Sequence, residues 1–283
     1  MELKGRKKNV WEEIKKWEHL YFDKGETNSL NSFEENFNNI IKSWRPEVQK
    51  KLLQAVDSMI FHTYSIIQDN QFDQKTISKI LEQGRVFRSD VENINDMKKL
   101  TIDQLRYITN KFLAKQRLVS LTQGGTLGIG GLPLVVLDLP LLLLVNLRSI
   151  QLTAMTYGYD LRKPYEVMLA LKVFHVSTLP KTLQKQGWNK LLLELDSCED
   201  EWIFFDEKTS GESLVCLQQP IKQLTKGLLV LMLKKKTIQG VPILGIAAGA
   251  SANYFFTKQV SNIAHNFYQK RFLLEEKMIS EKQ

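Results

Sequence analysis

Residues 120–150 read SLTQGGTLGIGGLPLVVLDLPLLLLVNLRSI, and between Arg117 and Arg148 the only charged residue is Asp138. Five glycines and two prolines punctuate the run. Three structures suit such a stretch: a phosphate-cradling loop, a membrane element, or the interior of a globular bundle. A phosphate loop needs Gly-Lys-Ser/Thr after its glycines, so that an ammonium and a hydroxyl meet phosphate and magnesium. Here Gly131 is followed by Leu132-Pro133-Leu134. A dinucleotide fingerprint follows a strand, whereas the preceding KFLAKQRLVSLTQ (111–123) has helical spacing. Nucleotide binding is therefore excluded as a reading.

Val119 to Leu147 is long enough to cross a bilayer, which needs about 20 mostly apolar residues. However, Asp138-Leu139-Pro140 has the order of a helix start, with an Asp cap and a proline in the first turn. The expectation is a bend at Asp138, with a helix beginning at Leu139 and two short pieces that do not span singly. A transmembrane span, a membrane-contacting hairpin and a buried core all remain open. Gly124, Gly128 and Gly131 recur near one helical face, as do Gly245 and Gly249 with Ala252 nearby. Small residues at that spacing let helix backbones approach closely, in lipid or in a tight core. Gly131-Leu-Pro133-Leu also echoes Gly240-Val-Pro242-Ile. Two readings fit the echo: a repeat whose helices pack face to face, or two independent Pro/Gly helix starts.

Helical period governs the rest of the chain. Val10, Trp11, Ile14, Trp17 and Tyr21 share one face near the N-terminus. A helix is expected after Pro46, another over about 76–86, and one opened by a Thr101-Ile-Asp-Gln104 capping box and running to about Ser120. Gly158 is the expected C′ residue of the helix that follows the glycine-rich run. Further helices fit 164–178, about 188–195, about 213–236, and a last one on which Phe256, Val260, Ile263, Phe267 and Leu274 share a face. Residues 196–212 hold seven acidic side chains around Trp202, Phe204 and Phe205. This segment reads as a solvated loop or a short strand pair, without the carboxylate spacing of a calcium loop. The fold class expected is all-α: a single multi-helix domain with two glycine-rich apolar helical hairpin elements.

The chain has 283 residues, enough for a full core, and its formal net charge of +8 suits an anionic partner. The positive charge is spread along helices with no nucleic-acid recognition module, so nucleic acid is not expected. The membrane surface fits better. Trp11 and Trp17, beside the basic start Lys4, Arg6, Lys7 and Lys8, are candidate membrane-contact residues. Equally, that tryptophan face could dock on the protein itself. Cys198 and Cys216 lack metal-site spacing and the four histidines are scattered, so neither a metal nor a cofactor is expected. No apolar leader-like segment is visible near Met1.

The run GGTLGIGGLPLVVLDLPLLLLVNLRSIQLTAMTYGYDL (124–161) resembles the hallmark of the EcsC protein family, with its glycine-rich segment, Asp-x-Pro, apolar helix with Arg and Ile-Gln, and Tyr-Gly-Tyr-Asp end. The later VPILGIAAGASANYFFTKQVSNIAHNFYQKRF (241–272) resembles that family's second conserved block. Leu152 departs from the pattern, where an acidic residue is expected after Gln151. The likeness covers roughly 95–276 clearly, which gives a division into an N-terminal helical region (1–94), an EcsC-like core (95–276) and a tail (277–283). The family is named for a gene beside an ABC transporter linked to protein secretion, and the resemblance implies no catalytic residues. It implies a non-enzymatic accessory protein on the cytoplasmic side of the membrane, with a membrane or membrane-protein complex as partner. The alternative is a lipid- or hydrophobe-binding protein with an apolar cavity, soluble in the cytoplasm.

The polar residues set within the apolar blocks are the remaining candidates: Asp138, Asn146, Arg148, Gln151, Asn253 and Arg271, together with Asp160 as a partner for Arg148. Buried polar groups are costly unless paired. Asp138 is expected to cap, Arg148 to pair with Asp160 or another carboxylate, and Asn253 to bond a backbone group.

Overall fold

The computed structural model describes residues 5–23, 70–127, 132–197 and 242–282; at several helix ends, including 123–127, 132–140 and 242–250, it describes the backbone alone. The described elements are helices: α1 (Gly5–Phe22), α2 (Asn70–Arg85), a 3₁₀ helix (Ile94–Lys99), α3 (Ile102–Leu127), α4 (Leu132–Thr156), α5 (Pro164–Thr178), α6 (Lys181–Ser197) and α7 (Pro242–Lys282). Among the described residues there is no strand, and the chain is all-α as expected. The helices expected after Pro46 and over 213–236 lie outside the described residues, as do the acidic segment from 198 onward and both cysteines.

Local chemistry sets several boundaries. The Thr101 box forms: the Gln104 amide oxygen accepts from the Thr101 N–H at 2.9 Å, and the Thr101 hydroxyl accepts from the Gln104 N–H at 3.4 Å. The helix it opens continues to Leu127, beyond the expected end near Ser120. At the end of α4, Gly158 has φ +85°, its N–H reaches the Met155 carbonyl, and the Tyr159 N–H reaches that of Ala154. This is a Schellman closure with Gly158 at C′. A Cβ at Gly158 would also lie 2.5 Å from Lys98 Cγ, so the position is closed to larger residues on two counts. Pro164 stands first in α5, where its missing N–H costs nothing.

One expectation is corrected. α4 is unbroken from Leu132 to Thr156 and passes through Leu137, Asp138 and Leu139, so Asp138 is not an N-cap and no helix begins at Leu139. The proline in the first turn is Pro133, not Pro140. An interior proline removes one backbone bond and crowds the preceding turn. A 25-residue helix with a buried face accommodates that local loss. α7 likewise begins at Pro242, so Gly131-Leu-Pro133 and Gly240-Val-Pro242 both straddle helix starts, and the two helices pack together. Of the two glycine-rich hairpin elements expected, residues 128–131 and 240–241 lie outside the described residues. Among those that are described, no helix is long and apolar enough to cross a membrane.

α3, α4 and α7 form the centre. Lys98, just before α3, reaches Glu275, and Arg117 reaches Asn262, so α3 and α7 run antiparallel. Tyr157, at the end of α4, meets His265 and Phe272, so α4 runs parallel to α7. The 41 residues of α7 give a rod about 60 Å long. α1, α2, α5 and α6 pack around this trio, and every one of the helices sends residues into one hydrophobic cluster. On α7, Phe256, Val260, Ile263 and Phe267 are buried, as their spacing requires.

Candidate functional site

The three central helices have two unlike ends. At the end where α4 closes and α7 finishes, charge is internal and paired. Arg271 of α7 donates two hydrogen bonds to Glu166 of α5, at 2.6 and 2.8 Å, and one to Glu275 at 3.2 Å. The Arg271 and Glu166 side chains are 7% and 4% exposed. The guanidinium carbon lies 3.8 Å from the Tyr159 ring centroid, so the cation also stacks on an aromatic face. Burial pulls the Arg271 guanidinium down, but Glu166 outweighs it and holds the pKa above the usual arginine value. Burial and the neighbouring Glu275 raise the Tyr159 phenol well above its ordinary range. Lys98 bridges Glu275 at 2.6 Å and also stands over the Tyr159 ring, at 4.4 Å from its centroid.

Asp160 does not meet Arg148. It accepts from the Arg162 N–H at 3.0 Å and from its guanidinium at 2.5–2.9 Å. Burial pushes the Asp160 carboxyl up, yet Arg162 holds it below the usual carboxylate value. Arg148 donates to Gln151 at 2.7 Å and to the Thr76 hydroxyl, tying α4 to α2. Asn253 is fully buried on α7. Of the candidates, Asp160 and Arg271 therefore fall at one end, while Arg148, Gln151 and Asn253 lie on the shafts. The Asp138 side chain is outside the described residues.

Between the ends, the Tyr157 hydroxyl and His265 Nε2 are 3.0 Å apart. Burial, with Arg106 and Arg117 nearby, lowers the His265 pKa to about 3, so the ring is neutral at pH 7. A polar row runs along α4: the Ser149, Thr153 and Thr156 hydroxyls each turn back to a carbonyl of their own helix. Asn146 does the same through its amide nitrogen at 2.6 Å. A second buried row, Asn253, Thr257 and Ser261, lies on α7.

The tryptophans of α1 face the protein. Trp17 lies 5.5 Å from Trp188 of α6, edge to face, and is stacked on Tyr21. Trp11 packs partly buried against the core, with Lys270 at 5.5 Å from its ring centroid. Glu18 between them accepts from Trp188 Nε1 at 2.8 Å and from Lys270 at 2.6 Å.

The opposite end, where α3 finishes and α4 and α7 begin, carries exposed apolar side chains instead. Leu118, Val119 and Leu121 of α3, Leu141 of α4 and Phe255 of α7 all stand in solvent, Leu118 at 60% and Phe255 at 63% exposure. These five lie on the stretches of the three central helices toward this end, and together they are the apolar belt. Tyr254 meets Phe255 edge to face at 5.7 Å. Sequence reasoning singled out the apolar blocks but not which residues remain outside. It also missed Glu166, a lone carboxylate in the apolar run PYEVMLALKVF, and the Tyr157–His265 pair.

Chemically, Arg271 with Glu166, Lys98 with Glu275, Arg148 with Thr76, and Glu18 with Trp188 and Lys270 tie separate helices together. Among the described residues no group of three His, Cys, Asp or Glu side chains is placed to hold a metal ion.

Two relatives from Bacillus subtilis (strain 168) align with the chain. The uncharacterized protein YdbA is 24% identical over 184 residues, covering 65% of this chain and 64% of YdbA, so the aligned part spans less than two thirds of that relative. Protein EcsC is 22% identical over 201 residues, covering 71% of this chain and 78% of its own length. No solved structure matches. The EcsC protein family matches over residues 8–273, a span that takes in α1 and reaches the Arg271–Glu166 pair, and the chain belongs to that family.

Proposed function

We propose that this protein is a non-enzymatic accessory protein that binds the cytoplasmic face of a membrane and works beside a membrane transporter or secretion machinery. The observation that carries the membrane part is the exposure of Leu118, Val119, Leu121, Leu141 and Phe255 on the three central helices. Single exposed apolar residues are ordinary, but five on three central helices toward one end favour an interaction surface. The belt leads into the glycine-rich apolar runs, so the exposed surface and the most apolar sequence coincide. The polar candidates support a role without catalysis, because Arg271, Asp160 and Arg148 are engaged with neighbouring side chains. The proximity to an ABC transporter comes from the family resemblance.

Fractionation of cells that express the full chain tests this. The protein is expected in the membrane fraction, and a Leu118→Ser/Leu121→Ser/Phe255→Ser variant is expected to move to the soluble fraction with its thermal midpoint unchanged. Recovery of the unaltered chain in the soluble fraction would end the membrane reading and return attention to an apolar-ligand carrier. Retention of the folded variant on membranes would show that the belt is not the contact.

A further inference from the structure

The apolar belt is bordered by positive charge that no carboxylate balances among the described residues. Between Asp103 and Asp138 the sequence has no acidic residue, while Arg106, Lys111, Lys115 and Arg117 lie on α3. On α7 the first acidic residue is Glu275, more than 30 positions into the helix. Of these cations, Arg106 pairs with Glu13, Lys270 with Glu18 and Arg271 with Glu166, all away from the belt. Lys111, Lys115 and Lys258 differ from them. All three are exposed. Lys111 donates to the neutral Gln83 amide at 2.7 Å, and among the described residues Lys115 and Lys258 form no ion pair. At 100° per residue, Tyr107, Lys111, Lys115, Leu118 and Leu121 share the outward stripe of α3, which changes from cationic to apolar toward the tip. Phe255 and Lys258, three apart, repeat that order on α7.

We propose that this end docks on a bilayer containing anionic phospholipid, with Leu118, Leu121, Leu141 and Phe255 entering the acyl boundary and Lys111, Lys115 and Lys258 meeting the headgroups. The inference rests on the membrane reading above and adds the lipid class and the orientation. Exposed apolar side chains with lysines beside and behind them match an anionic interface, where lysines reach headgroups while their stems stay in apolar surroundings. The long axis of α7 then points away from the membrane, and the end built on Arg271 and Glu166 faces a protein partner or solvent. Asp138 is the one carboxylate in the sequence of the apolar runs themselves.

The full chain, floated with phosphatidylcholine vesicles and with vesicles containing phosphatidylglycerol, tests this. Binding is expected to be roughly a hundredfold tighter to the anionic vesicles, from three lysines near the surface, and to weaken as salt rises. Lys111→Gln/Lys115→Gln/Lys258→Gln should reduce that preference to near unity. Lys16→Gln/Lys163→Gln/Lys190→Gln removes the same net charge from exposed positions elsewhere and should preserve it. Equal, salt-insensitive binding to both vesicles would overturn the inference and leave membrane association standing. Loss of preference in the second triple variant would overturn it too, since net charge would then be the cause. Binding to neither vesicle would overturn the membrane reading and this inference together.

Discussion

The two ends of the α3–α4–α7 trio use charge in opposite ways. At one end Arg271, Glu166, Glu275 and Lys98 are gathered under Tyr159, and the charges are neutralised within the protein. At the other end lysines stand beside exposed leucines and a phenylalanine with no counter-charge among the described residues. A protein that only needed to fold would gain nothing from the second arrangement. Exposed apolar area and uncompensated cations contribute little to stability, whereas a buried arginine demands a partner. The difference separates the part of the molecule organised for its own packing from the part left available to something else.

Breaking the closed end should have the largest effect. Glu166→Ala leaves Arg271 buried beside only Glu275 and should cost about 3–5 kcal/mol in urea unfolding. Glu166→Leu combined with Arg271→Met should recover most of that loss, because the buried charge leaves with its partner. A cost below about 1 kcal/mol for the single change would mean that Arg271 has a route to solvent. Next in size, Gly158→Ala forces a Cβ into a left-handed position facing Lys98 and should cost about 1–2 kcal/mol, seen as a lower denaturant midpoint. A neutral result would mean that the Schellman closure relaxes without resistance.

His265 lies between the ends and gives a smaller, pH-dependent effect. Its folded pKa of about 3 lies below the ordinary histidine value of 6.5. Above pH 6.5 both folded and unfolded states hold a neutral ring and no stability depends on it. As pH falls from 6.5 toward 3 only the unfolded state takes the proton, so stability declines across that window. Between about pH 7 and 5.5 the loss should reach about 1.3 kcal/mol, and His265→Gln should remove it. If the decline persists in the variant, another group carries it. Smallest of all is the effect of the open end on folding. Phe255→Ser should change stability by no more than about 0.5 kcal/mol while weakening vesicle binding. A loss above about 2 kcal/mol would place Phe255 in the core and erase the contrast between the ends.

Much of the fold was readable because its signals are local. The Thr101–Gln104 box, Gly158 at C′, Pro164 at the head of α5 and the inward face of α1 each depend on a few neighbouring residues whose geometry is nearly forced. Asp138 shows where such reading misleads. Asp-Leu-Pro and Gly-Leu-Pro are both plausible starts, and the choice of Pro133 over Pro140 depends on how much of α4 has helices to pack against. The candidate residues divide similarly. That Arg271 and Arg148 needed partners followed from their apolar surroundings. That the partners are Glu166 for one and Thr76 with Gln151 for the other depends on helices far apart in the chain.

The sequence by itself determined an all-α chain, the capped helix boundaries at Thr101, Gly158 and Pro164, and the apolar character of the two glycine-rich blocks, because periodicity, caps and composition act over a few turns. The tertiary structure alone decided which apolar residues stay outside and which charges cancel. Whether Leu118 or Lys258 is covered depends on the direction and level at which α3, α4 and α7 cross, and no local rule of the chain contains that.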